Sequence, residues 1–103
     1  MPKMIFLNLP VKDLAAEGFA LAGGRLDYIN ERRVAVLVYK RRLHIVTVFV
    51  WPSRASMGAQ LRDSGRMGYN ALTWSQGGVT YWAVSDLNIG EMRQLQSLLQ
   101  PGP

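Results

Sequence analysis

Gly68-Tyr69-Asn70-Ala71-Leu72-Thr73-Trp74-Ser75-Gln76-Gly77-Gly78-Val79-Thr80-Tyr81-Trp82-Ala83-Val84-Ser85-Asp86 reads as two strands folded back on each other. Tyr69 to Thr73 is expected to pair with Val79 to Ser85, with Trp74 to Gly78 as the loop. The adjacent glycines Gly77 and Gly78 suit backbone angles that side-chain-bearing residues avoid. The segment is rich in aromatics and holds neither Cys nor His, and Asp86 is its one acid. Such a hairpin is equipped to pack and to bind rather than to catalyse.

Upstream of it, Leu43 to Trp51 forms a strand that is apolar on both faces. Leu43, Ile45, Thr47, Phe49 and Trp51 alternate with His44, Val46, Val48 and Val50, and Pro52 ends the ladder. A strand apolar on both sides calls for cover on both: a helix, a second sheet or a second subunit. Arg33 to Tyr39 and Arg25 to Ile29 read as two further strands. Asn30-Glu31 turns the chain between them and Lys40-Arg41-Arg42 turns it again, completing a meander.

Ile5 to Val11 reads as an N-terminal strand closed by Pro10. Asp13 to Gly18 follows as a short helix with Asp13 as its cap and Gly18 as its stop, and Gly23-Gly24 then breaks the chain. Residues 53–67 are polar and irregular and are expected to form a loop, with a turn or two of helix over Met57 to Leu61. Beyond the aromatic hairpin, Asn88-Ile89-Gly90-Glu91 has capping-box spacing, with Glu91 able to reach back to the Asn88 backbone. Ile89, Met92, Leu95, Leu98 and Leu99 form one helical stripe, which the tail 100–103 ends. The expected fold is α+β, one domain over residues 1–103. It has an antiparallel sheet of about five to six strands, packed by a C-terminal helix and a short N-terminal one.

The 103 residues suit a single domain with a modest core. The absence of Cys excludes a disulfide framework, a thiolate zinc site and a cysteine nucleophile. His44, the single histidine, sits within an apolar strand and reads as structural. The acids are scattered, no pair is placed for general acid–base work, and no Ser has a nucleophile-elbow context. No catalytic, metal or cofactor residue is expected. The net charge of +5 is concentrated at Arg32-Arg33 and Lys40-Arg41-Arg42, which flank hairpin tips, where basic residues keep strand ends soluble. The longest apolar stretch, Leu43 to Trp51, falls well short of the roughly twenty residues of a membrane span. The residues expected to meet a partner are Trp51, Trp74, Tyr81 and Trp82, with Arg41 and Arg42 beside them.

From Pro10 to Leu99 the chain resembles the extracytoplasmic C-terminal domain of bacterial membrane-bound anti-sigma factors. The resemblance is carried by Val11 to Phe19, Gly23-Gly24-Arg25-Leu26-Asp27-Tyr28, Val34 to Tyr39, His44 and Phe49-Val50-Trp51-Pro52. It continues through Gly68-Tyr69-Asn70, Trp74, Gly77-Gly78 and Tyr81 to Asp86. It implies a regulatory, non-catalytic domain on the periplasmic side that meets a protein of a sigma/anti-sigma system. A homodimer, formed through a sheet face or edge, is expected separately from the strand that is apolar on both sides. No direct contact with nucleic acid is implied, and the membrane would be reached through a segment outside this chain. The sigma-binding segment and the zinc-type His and Cys set of that family are absent here. Met4 to Leu14 also resembles the opening strand of the glyoxalase and dioxygenase superfamily. Phe6 stands where its metal-using members place a ligand, and that resemblance implies a small enzyme or ligand-binding module completed by dimerisation.

Overall fold

The computed structural model describes residues 4–6, 9–11, 13–53, 60–63, 68–76 and 78–99. In chain order the elements are β1 (Met4–Phe6), β2 (Leu9–Val11), a single 3-10 turn (Ala15–Glu17), β3 (Ala20–Ile29), β4 (Arg32–Arg41) and β5 (His44–Pro52). They continue with β6 (Gln60–Asp63), β7 (Asn70–Gln76), β8 (Val79–Ser85) and α1 (Ile89–Leu99). The fold is broadly α+β, mostly strand, an antiparallel sheet with one C-terminal helix.

The main sheet has the order β3-β4-β5-β8-β7-β6. It is two antiparallel meanders set side by side, joined where β5 pairs with β8 from Val46↔Ser85 to Pro52↔Val79. The two most apolar strands therefore lie at the centre. The polar strand β6 and the long strand β3 form the edges, where backbone groups can be solvated.

Alternation divides each strand between two faces. Ala35, Leu37 and Tyr39 of β4 share a face with Val46, Val48 and Val50 of β5, with Val79, Tyr81 and Ala83 of β8, and with Leu72 and Trp74 of β7. Met92, Leu95 and Leu99 of α1 close over this face, joined by Leu14, Phe19 and Leu87. The expected helical stripe is the buried one, with Ile89 and Leu98 packed at its margin. The helix starts as the capping box predicts, the Glu91 N–H donating to Asn88 Oδ1 at 2.8 Å. The Glu91 carboxylate, however, accepts from the Asn88 side-chain amide at 3.3 Å and from two arginines rather than from the Asn88 backbone.

Several local expectations change. The segment read as one strand over Ile5 to Val11 folds on itself, β1 pairing with β2 from Met4↔Val11 to Phe6↔Leu9, so that its backbone groups satisfy one another. The short N-terminal helix is a single 3-10 turn, because Gly18 adopts φ +90° and returns its N–H to the Ala15 carbonyl. The N-cap is Leu14, without a side-chain cap bond, rather than Asp13; the Asp13 Oδ1 instead accepts from the N–H groups of Ala15 and Leu21, each at 3.1 Å, tying the turn to the start of β3. Within the expected loop 53–67, Gln60 to Asp63 form β6 against β7, which also replaces helix at Gln60 and Leu61; residues 57–59 of that expected helix lie outside the described residues. Trp74, Ser75 and Gln76 belong to β7 rather than to the hairpin loop, since the ladder runs to Gln76↔Val79.

Candidate functional site

The site with most to offer a partner is the sheet face opposite α1. Ile45, Thr47, Phe49 and Trp51 of β5 lie beside Trp82 and Val84 of β8, all partly or well exposed. Phe49 and Trp82 are directly opposite each other in the register, their ring centroids 5.2 Å apart and tilted by 32°. This pair forms a ridge between two open grooves. One, of about 290 Å³, runs between Trp51, Ile29, Arg32 and Val34. The other, of about 580 Å³, runs toward Ile45, Tyr69, Val84 and Asp86. Contiguous exposed apolar surface of this kind, rimmed by polar groups, is characteristic of an interaction site.

Of the residues expected to meet a partner, the structure brings together Trp51 and Trp82 on this face. Trp74 and Tyr81 point the other way. Trp74 is 2% exposed and lies in the core, stacked on Tyr81 with centroids 4.9 Å apart and planes within 6°. The Trp74 indole N–H is buried with no hydrogen-bond partner among the described residues. Burial pushes the Tyr81 phenol above its ordinary value, and the Tyr39 phenol still further, with the Asp13 carboxylate and Tyr81 adding to the effect.

Arg41 and Arg42 turn toward the helix rather than toward the face. Arg41 Nε donates to Glu91 Oε2 at 2.8 Å and its guanidinium sits 4.5 Å over the Phe19 ring. The Arg42 Nη2 reaches both Glu91 oxygens, at 3.0 and 3.2 Å. The Arg42 hydrogen bonds and charge, with those of Arg41, hold the Glu91 carboxyl below its usual value against the opposing effect of its partial desolvation. These contacts fasten the β4–β5 turn to the first turn of α1, where an acid also favours the helix dipole.

His44 Nδ1 lies 2.9 Å from Asp86 Oδ1 in an exposed pair at the rim of the second groove. An imidazole oriented by a carboxylate can move a proton. The buried hydroxyls of Ser75 and Thr80, however, bond each other at 2.6 Å and lie at the opposite end of β8 from Asp86. Among the described residues no group of three or more His, Cys, Asp or Glu is gathered to hold a metal ion. No helix among them is long and apolar enough to cross a membrane.

Phe49, Ile45 and Val84 were not singled out from the sequence, although the alternation of β5 already placed Ile45 and Phe49 with Trp51. The His44–Asp86 pair had no sequence signal, since its members are 42 positions apart.

Comparison of the chain with models of protein families, with curated proteins and with solved structures returns no match.

Proposed function

We propose that this chain is a non-catalytic interaction domain that binds a partner protein on the open sheet face, with Phe49 and Trp82 as its anchors. The single observation that carries this reading is the exposed apolar strip along β5 and β8, centred on the tilted Phe49–Trp82 pair. Aromatic side chains in such a position dominate the affinity of protein interfaces because they bury large area at low entropic cost. The resemblance to the outer domain of anti-sigma regulators adds the setting: a periplasmic sensory domain whose partner belongs to a sigma/anti-sigma signalling system. The core is then the scaffold that keeps the face flat, and the Arg41, Arg42 and Glu91 clip holds the helix in register behind it.

The test is site-specific photocrosslinking in cells. A crosslinker in place of Trp82 is expected to trap a discrete protein adduct that Phe49→Asp abolishes, whereas one in place of Arg93, exposed on α1, is not. No adduct at position 82, or the same adducts at both positions, overturns the reading. A purified domain that turns over substrate without the crosslinked partner would overturn its non-catalytic part.

A further inference from the structure

The edge strand β3 is exposed along nearly its whole length, on both faces. From Ala22 to Ile29 every residue is exposed, including Leu26 at 48% and Tyr28 at 70%. A long edge with exposed apolar side chains is the kind of surface that natural sheets normally shorten, charge heavily or cover. Its regular ladder is bounded at both ends. A register shift between Leu21 and Gly23 marks a bulge, and the Asn30-Glu31 turn, with both residues at positive φ, ends the strand at Ile29↔Arg32. The uninterrupted segment is Gly23-Gly24-Arg25-Leu26-Asp27-Tyr28-Ile29, and Leu26 is its midpoint.

This segment is complementary to itself when run antiparallel about Leu26. Leu26 meets Leu26 of a second copy, Arg25 meets Asp27, Gly24 meets Tyr28 and Gly23 meets Ile29. Opposite residues in an antiparallel pair share a face, so the charges of both copies come together on one side. There each arginine is flanked by carboxylates. On the other side the Tyr28 ring lies over the bare backbone of Gly24, and the two Leu26 side chains touch. The closing pair of a two-residue hairpin exchanges hydrogen bonds, so Ile29, Asp27 and Arg25 direct their backbone groups toward β4. Tyr28, Leu26 and Gly24 therefore direct theirs outward. The Tyr28 N–H bears this out, since it is taken by the Asp27 carboxylate at 2.8 Å. That carboxylate also lies 3.8 Å from Arg25 of its own strand, in a pair exposed enough to contribute little alone.

We propose that a second copy of this chain pairs with the β3 edge, antiparallel and centred on Leu26, to give one sheet continuous through both copies. The Tyr28 and Gly24 backbones then exchange hydrogen bonds across the two-fold axis, and the Asp27 carboxylate is released from the Tyr28 N–H to face the partner's Arg25. Ile29 also lines the first groove, but Arg25 and Asp27 line neither groove, so substitutions there test self-association separately from partner binding. A single added ladder is modest in energy, and the dimer forms at high protein concentration and weakens with salt.

Charge exchange tests the register. Asp27→Arg alone and Arg25→Asp alone each set like charges opposite one another. Each is expected to raise the dimer dissociation constant by about tenfold or more, as read by sedimentation equilibrium in low salt. Mixing the two variants restores opposite charges at every contact, and a heterodimer as tight as the wild-type dimer is expected. That recovery also shows that both variants are folded. Leu26→Cys, in a chain with no other cysteine, is expected to form an intermolecular disulfide on oxidation, because directly opposed residues lie about 5.5 Å apart. Tyr28→Cys is not, because its two copies sit about 13 Å apart. A monomeric wild-type chain at millimolar concentration overturns the proposal. So does dimerisation of either charge variant alone at wild-type strength, or a mixture of the two that stays monomeric.

Discussion

Trp74 and Trp82 stand on neighbouring strands of one hairpin and point to opposite sides of the sheet. The register pairs Trp74 with Tyr81 and Thr73 with Trp82, so the tryptophans are one step out of phase. One is closed under α1 and the other is 40% exposed on the open face. A single alternation thus places one aromatic in the core and leaves the other on the open face.

Substitution of each tryptophan should tell the two positions apart. Trp74→Ala is expected to cost about 3–5 kcal/mol, the range for emptying a core site of that size. Trp82→Ala should cost about 1 kcal/mol, mainly its contact with Phe49. Urea unfolding of both variants checks the difference, and equal losses would contradict the assignment of faces.

Glu91 should make stability depend on pH at the acid end. Its carboxyl is held low in the folded chain by Arg42 first and by Arg41. The folded value lies below the unfolded one, so the contribution is present above the unfolded value of about 4.3. It is lost as pH falls through the folded value. Glu91→Gln should therefore be less stable than wild type at neutral pH, with the gap closing below about pH 4, as measured by urea midpoints across that range.

Tyr39 and Tyr81 predict the alkaline limit. Burial raises both phenols in the folded state, so the stability tied to their neutral forms is full below the unfolded value of about 10 and declines as pH rises beyond it. Ultraviolet titration should show these phenols ionising together with loss of the fold by circular dichroism. Ionisation of every tyrosine while the fold is intact would contradict their placement.

Glu31 offers a stabilising change. Asn30 and Glu31 adopt φ of 52° and 63° in the two-residue turn between β3 and β4. This is the mirror-image turn that favours Asn-Gly, and a left-handed residue with a side chain costs about 1 kcal/mol. Glu31→Gly should recover most of that, raising the thermal midpoint by about 4–8 °C.

The helix and its cap were legible because their signals are local: the Asn88 and Glu91 spacing and the Met92, Leu95 and Leu99 stripe lie within one element. The 3-10 turn, shorter than the helix expected there, still showed its stop at Gly18, while its N-cap is Leu14 rather than Asp13. β6 was hidden because an edge strand needs few apolar residues, and Gln60 to Asp63 read as a polar loop. Arg41 and Arg42 were read as a solvated hairpin tip, since nothing near them in sequence announces Glu91, about fifty positions on.

The sequence by itself determined which side chains share a face of each strand, because alternation is a property of the extended backbone. It set Phe49 with Trp51, and it made Gly23 to Ile29 complementary to itself. Only the tertiary structure decided which of the two faces is buried. That choice depends on β8, rather than β7, pairing with β5, and on α1 folding back over Val48, Ala83 and Leu72. These are packing choices made between segments far apart in the chain, and no local pattern encodes them.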